Sequence, residues 1–249
     1  MKSGESMGLL IFDLEGKFAH FRKYDTNSSS LTYSAPPRTV ICGMIAAILG
    51  MEKNSYYSLF IPQKAKIGVR ILSKNHKVMQ SLNYWKTEGT KDFRTPTNHT
   101  QIPFEVLTNQ QKVAYRIYFE HEDTSICMEL EKRLKEQKYY FAPYLGAAPF
   151  QCYINNVEYI TEEQINNQEK LPFATIVRIC NIEEDSVEFH NGSFVLTRER
   201  MPRYFDENRY LEEASSYLLE LNGKPLIMKY NGEVRKVQYK DGEEYITFL

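Results

Sequence analysis

The side chains best suited to general-base, nucleophilic or metal chemistry are five histidines, His20, His76, His99, His121 and His190, and four cysteines, Cys42, Cys127, Cys152 and Cys180. Spacing prepares none of them for it. The cysteines stand singly with no C-x-x-C pair, and Cys42 lies in an apolar helical stretch, so no zinc site is expected. The histidines are far apart, and a lone histidine is more often structural than catalytic. A P-loop, a G-x-G-x-x-G, an H-E-x-x-H and a G-x-S-x-G are all absent. The expectation is a chain with no catalytic residues, no metal and no cofactor.

The residues that remain suit the binding of a polyanion. From Phe18 to Tyr24 aromatic and basic residues interleave, and a polar loop containing Asn27-Ser28-Ser29-Ser30 follows. Pro36-Pro37 then opens a helix whose free N–H groups attract phosphate oxygens, with Arg38 adding a forked charged donor. Together these would make a socket for a bent RNA backbone. An ordinary capped helix with a solvated Arg38 fits the same residues, and spacing does not separate the two.

The elements that must position this segment follow from periodicity. Gly8–Leu14 reads as a strand buried on both faces. Ile41, Met44, Ile45, Ile48 and Leu49 recur at helical spacing until Gly50 caps them. Residues 64–72 alternate as a half-buried strand with Lys66 and Arg70 on a basic face, and residues 113–119 alternate in the same way. Thr124 or Ser125 can cap a second helix through about Gln137, and a strand-like run spans Cys152–Ile160 after the small-residue turn Pro143–Pro149. The resulting order is βαββαβ, so the fold class expected is α+β, ferredoxin-like, an arrangement that RNA-recognition domains and many unrelated proteins share.

Between the second and third strands, residues 74–110 show little periodicity but hold Lys77, Lys86, Lys91 and Arg94 with His76, His99, Tyr84 and Trp85. So long a connection is usually functional or disordered, and its charge favours a basic arm reaching onto a polyanion. Charge is also split along the chain. Residues 1–120 carry 16 Lys and Arg against 9 Asp and Glu, a net +7, while residues 121–249 carry 15 against 23, a net −8. Such a split suggests an anionic ligand on the first half and a protein or solvent face on the second. The 18 Tyr and 14 Phe exceed what a plain core requires; an aromatic-rich core and a base-stacking surface both account for them.

Beyond Phe173 short strands alternate with the turns Asn191-Gly192, Asn222-Gly223, Asn231-Gly232 and Asp241-Gly242. The domains expected are 7–165, RNA-binding, with the arm at about 74–110, and 170–249, smaller and mostly β. Residues 1–7 are short and polar, unlike a signal peptide, so a soluble cytoplasmic protein without a membrane partner is expected.

At five places the residues resemble a known family. Phe12-Asp13-Leu14, Gly16–Arg22 and Leu31-Thr32-Tyr33-Ser34-Ala35-Pro36-Pro37-Arg38-Thr39 are similar to the amino-terminal signature of the CRISPR-associated Cas five family, within the RAMP superfamily. Pro143–Ala147 and Met201–Phe205 fit it as well. The resemblance implies a subunit of a type I CRISPR surveillance complex (Cascade) that grips the 5′ handle of the guide RNA (crRNA) and touches the backbone and large subunits, meeting target DNA only indirectly. It implies RNA contacts at His20, Arg22 and Lys23, a bend lined by Tyr33, Arg38 and Thr39, a thumb carrying Lys77, Lys86, Lys91 and Arg94, and a glycine loop marked by Gly146.

One branch of that family, in type I-C systems, cuts precursor RNA without metal through a Tyr, Lys and His set. Tyr33 stands near the tyrosine's place, but Asp123-Thr124-Ser125 occupies the stretch where the Lys-His pair belongs, and the nearest histidine is His121. The chain therefore resembles the non-cutting members of type I-B systems most. The alternatives are a metal-independent ribonuclease using Tyr33 with His20 or His121, and a protein-interaction module without RNA, suggested by the acidic second half.

Overall fold

In the computed structural model, which describes residues 8–26, 29–87, 89–95, 97–165, 169–189, 193–240 and 242–249, the opening apolar run becomes β1 (Leu9–Ala19). Asn27 and Ser28 of the polar loop, His190, the Asn191-Gly192 turn and Asp241 lie outside the described residues. Side chains alternate along β1 with the strand period: Leu10, Phe12 and Leu14 enter one core, Leu9 and Ile11 another on the opposite face. That is why the segment is apolar almost throughout.

A two-residue pairing of β2 (Phe21–Arg22) with β3 (Thr32–Tyr33) leads into α1 (Arg38–Leu49) and β4 (Ala65–Ile71). Gly50 closes α1 at φ 78°, the left-handed cap for which glycine carries no Cβ penalty. After β5 (His76–Trp85), α2 (Thr90–Arg94) and β6 (His99–His121) come α3 (Thr124–Glu136) and β7 (Tyr153–Ile160). The cap of α3 is Asp123, whose carboxylate accepts the Ser125 N–H at 2.9 Å, rather than Thr124 or Ser125. The central sheet runs β4-β6-β1-β7 with every neighbour antiparallel, and β5 adds to β6.

The sequence leaves the fold of the arm open. The arm is a β-hairpin, with pairs running from His76↔Thr108 to Trp85↔His99 and α2 at its far end. Most of β5 is exposed, so no apolar alternation was present to read; backbone hydrogen bonds hold the ribbon instead.

Residues beyond β7 form β8 (Glu162–Ile165), β9 (Leu171–Phe173), β10 (Val177–Arg178), β11 (Leu196–Phe205), β12 (Leu211–Glu220), β13 (Leu226–Met228), β14 (Val234–Tyr239) and β15 (Gly242–Ile246). They make two sheets, β13-β9-β15-β14-β8 and β10-β12-β11. Strand β8 ends at residue 165, where the sequence puts the end of the first domain, and it pairs with β14. The mixed α+β fold is strand-rich, 14% helix against 48% strand, so the sheets and not the helices set its architecture.

The central sheet is covered on both faces. Helices α1 and α3 share a core with Leu10, Phe12 and Leu14, joined by Ile176 just before β10 and by Met201, Tyr217 and Leu219 of the C-terminal strands. On the other face Leu9, Ile11 and Tyr118 meet Val237, Tyr239 and Ile246. Beside this apolar contact lies a charged seam. Arg116 holds Asp13 side-on at 2.8 and 3.1 Å, Asn156 donates to the same carboxylate at 2.7 Å, and the guanidinium lies 4.3 Å from the Tyr239 ring. Arg70 and Tyr118 both reach Glu244, and Lys66 pairs with Glu120 at 3.3 Å and Glu233 at 2.5 Å. The basic face of β4 is thus turned onto carboxylates of the chain itself, and part of the charge split between the halves is neutralised internally.

Two predictions follow from the seam. Asp13 is buried, so Asp13→Ala would leave Arg116 without its main partner and lower stability by about 3–5 kcal/mol, the cost of breaking a buried pair, read from a urea unfolding curve. Glu162 contacts Arg235 at 2.5 Å, yet burial outweighs that pull and pushes its carboxyl up to about 7. An unfolded Glu titrates near ~4.3. Between the two values the folded chain keeps a proton that the unfolded chain has released, so this contribution to stability falls as pH rises through the window. In Glu162→Gln the decline should disappear, and the difference between wild type and variant should change between urea curves near pH 5 and near pH 8.

Candidate nucleic-acid interface

Exposed side chains gather at the far end of the arm. Tyr84, Trp85, Lys86, Lys91, Phe93, Arg94 and His99 all lie at the surface there, Phe93 at 76% exposure, and the Trp85 and His99 rings approach to 4.2 Å. Of the cations implied by the sequence, Lys86, Lys91 and Arg94 are the ones brought together. Cations beside uncovered aromatic faces can meet phosphates and stack bases at once. Phe93 was not foreseen; an aromatic residue flanked by Lys91 and Arg94 was the available signal.

At the root of the arm the expected contacts turn inward. His20 is buried and stacks on Phe104 with centroids 3.9 Å apart. Its Nδ1 donates to the Glu105 carbonyl at 2.7 Å, and its Nε2 shares a hydrogen bond with the Ser30 hydroxyl at 3.0 Å. Burial holds its pKa below the usual histidine range. Lys77 donates to the Thr32 carbonyl at 2.7 Å and lies 3.5 Å from Glu105 and 3.6 Å from Glu199. Glu199, itself buried, accepts from the Ser34 N–H and hydroxyl at 2.9 and 3.0 Å, with Lys23 at 3.8 Å. Lys23 also sits 5.5 Å from the Tyr33 ring centroid. This knot joins β3, the arm and β11.

Tyr33 and Arg38, expected to line an RNA bend, are 2% and 1% exposed. The Tyr33 hydroxyl donates to the Arg200 carbonyl at 2.9 Å, and burial raises its pKa further beyond the ordinary range. Arg38 donates to the carbonyls of Ala65 at 2.6 Å and Arg203 at 3.2 Å, and Pro36 and Pro37 are buried with it. The amino end of α1 therefore abuts β11 and does not form the open socket that its sequence suggested; β11, about 160 residues downstream, is what covers it. Thr39 is half-buried beside it. His121 accepts the Asp123 N–H at 2.9 Å and donates to the Leu59 carbonyl at 3.0 Å, so both ring nitrogens are engaged.

Arg22 and Gly146 stay at the surface. They line a concavity of about 380 Å³ between α1 and the loop at residues 142–146. Gly146 has φ 83°, and a Cβ there would lie 2.0 Å from the His20 carbonyl oxygen, so glycine is required both for the turn and for the close approach. The neighbouring Leu145 carbonyl accepts the His20 N–H at 3.0 Å, which fastens the loop to the end of β1.

Among the described residues, no group of three or more His, Cys, Asp or Glu side chains could hold a metal ion, and no helix is long and apolar enough to cross a membrane.

Residues 9–215 match the family model described as CRISPR-associated protein (Cas_Cas5). None of the curated proteins matches the chain. Among solved structures, a crystal structure of a CRISPR protein from Archaeoglobus fulgidus aligns over 98% of this chain and 100% of that one at 12% identity, with a TM-score of 0.53, a likeness of fold. A chain of a CRISPR RNA-guided surveillance complex aligns over 88% of this chain and 91% of its own at 15% identity, with a TM-score of 0.48. The family model spans most of the chain, including the motif segments at β1, at the amino end of α1, in the loop at residues 143–147 and at β11, and by that match the chain belongs to the CRISPR-associated Cas5 family.

Proposed function

We propose that this protein is a non-catalytic subunit of a type I CRISPR surveillance complex, most like type I-B, that holds the 5′ handle of the guide RNA and contacts the backbone and large subunits in the cytoplasm. The observation that carries this reading is the β-hairpin arm, whose end presents Lys86, Lys91 and Arg94 among the exposed rings of Tyr84, Trp85 and Phe93. Membership of the Cas5 family supports it. The strand and helix order, laid out as β4-β6-β1-β7, supports reading the first part of the chain as a ferredoxin-like βαββαβ unit, with a smaller mostly β region after about residue 170.

Binding is favoured over cutting by the state of the three side chains that a metal-free ribonuclease would use. Tyr33, His20 and His121 are buried, and each has its polar atoms engaged by the chain's own backbone or by Ser30. A base or charge stabiliser must reach the 2′-oxygen of the RNA, and none of these is turned outward to do so.

With purified protein and 5′-labelled repeat RNA, the triple variant Lys86→Ala, Lys91→Ala, Arg94→Ala should bind more weakly. The slope of log affinity against log salt should also shrink by about 2, because single-stranded RNA releases roughly 0.7 counterion per phosphate contact. An unchanged slope would remove the arm from the interface. Tyr33→Phe should leave RNA affinity unchanged in EDTA and lower stability by about 1 kcal/mol through the lost hydrogen bond to Arg200. A discrete metal-free product that this variant fails to make would instead establish the ribonuclease reading.

A further inference from the structure

Antiparallel pairing uses only one side of β5. The Lys86 N–H, one residue past the strand, donates to the Asn98 carbonyl directly opposite at 2.9 Å, and the register runs unbroken from Trp85↔His99 to His76↔Thr108. Hydrogen-bonded pairs alternate along such a ladder, so the even-numbered residues of β5 turn their N–H and C=O groups toward β6. Strand β6 shows the same parity on its other side, where the Glu105 N–H donates to the Ser30 carbonyl and the Pro103 carbonyl accepts the Ser30 N–H. The outward backbone groups of β5 are therefore those of Lys77, Met79, Ser81, Asn83 and Trp85. Among the described residues no strand pairs with that side.

An open edge of ten residues is a template for pairing with another chain, and proteins ordinarily blunt one with a proline, a bulge or an outward lysine. Strand β5 has no proline and no bulge. Its lysine, Lys77, is turned to the root of the arm, where it donates to the Thr32 carbonyl. The edge also borders an apolar stripe. Side chains at even positions share a face with the residues opposite them, and the pairs Val78↔Val106, Gln80↔Phe104 and Leu82↔Ile102 place five apolar side chains together on it. Val78, nearest the root, is still 38% exposed.

The occupant that fits is a protein strand. Donors and acceptors alternating at strand spacing match another peptide backbone, whereas RNA phosphates only accept and would leave the outward carbonyls unpaired. Charge narrows the choice further. Residues 73–87 hold Lys74, Lys77 and Lys86 with no Asp or Glu, so a second copy of this edge would set lysines against lysines, while a segment bearing carboxylates would be attracted.

We propose that the free edge of β5 is a strand-addition site for an extended acidic segment of a partner protein, whose alternate apolar side chains continue the stripe of Val78 and Leu82. It rests on the reading of the chain as a subunit of a larger complex, but not on the binding of RNA.

Exchange of individual backbone amides tests this in the full chain alone, with repeat RNA, and co-purified with the protein subunits of its complex. In the chain alone the amides of Met79, Ser81 and Asn83 should exchange fast and those of Gln80 and Leu82 slowly. Assembly should slow the three fast amides tenfold or more, and RNA alone should leave them fast. Ser81→Pro removes one outward N–H without taking a hydrogen bond from β6. It should lower recovery with the partner subunits at least tenfold and keep wild-type RNA affinity, while Ser81→Val, which retains the N–H, should assemble normally. If Gln80 and Leu82 exchange fast in Ser81→Pro, the hairpin itself is lost and the wild-type comparison decides. Outward amides that stay fast in an assembled complex overturn the proposal and leave the proposed function standing. Amides slowed by RNA alone overturn it as well, because the edge is then an RNA surface. A chain that enters no complex overturns the functional reading and this inference with it.

Discussion

The central sheet has to be covered on both faces, and the pairing of Asp13 with Arg116 shows how the second cover is held. A carboxylate in the middle of an apolar strand is costly unless it is paired and hydrogen-bonded. Here it is held by a guanidinium from β6 and an amide from β7, and that guanidinium lies against Tyr239 of β14. The C-terminal sheet thus docks through an oriented contact as well as through the apolar cluster of Leu9, Ile11, Tyr118, Val237, Tyr239 and Ile246. Hydrophobic burial has no direction of its own, whereas a side-on Arg–Asp pair does.

The same logic governs the root of the arm. A two-stranded ribbon exposed on both faces is marginal by itself. It is fixed where it leaves the sheet: Glu105 accepts the Thr32 N–H at 2.9 Å, lies near Lys77, and gives its carbonyl to His20. Glu199 of β11 ties in Ser34, Lys23 and Lys77. Residues that looked like RNA contacts are consequently the ones that aim the arm and position the Gly146 loop. The outer end of the arm, where Lys86, Lys91 and Arg94 stand among exposed aromatic rings, is left uncovered.

Much of the framework was legible in the residues. The double-faced burial of β1, the helix between Pro37 and Gly50, the alternation in β4, the second helix and the strand-rich C-terminal region all follow from local periodicity and turn chemistry, which neighbours in sequence determine by themselves. The family resemblance was legible for the same reason, in contiguous motifs such as Phe12-Asp13-Leu14 and Leu31–Thr39.

Which charged and polar side chains stay at the surface was not legible, because that depends on what the rest of the chain lays over them. His20, Tyr33 and Arg38 have the chemistry of RNA contacts, but Phe104 and Ser30 cover the first, while Arg200 and Arg203 of β11 accept hydrogen bonds from the other two. The arm was unreadable as a hairpin because both its faces are wet, so no pattern of burial was written into it. The sequence by itself determined the elements, the motif segments and the excess of cations in the first half. Tertiary structure alone decided which of those cations stay outside, since ion pairing and burial are settled between residues more than a hundred positions apart.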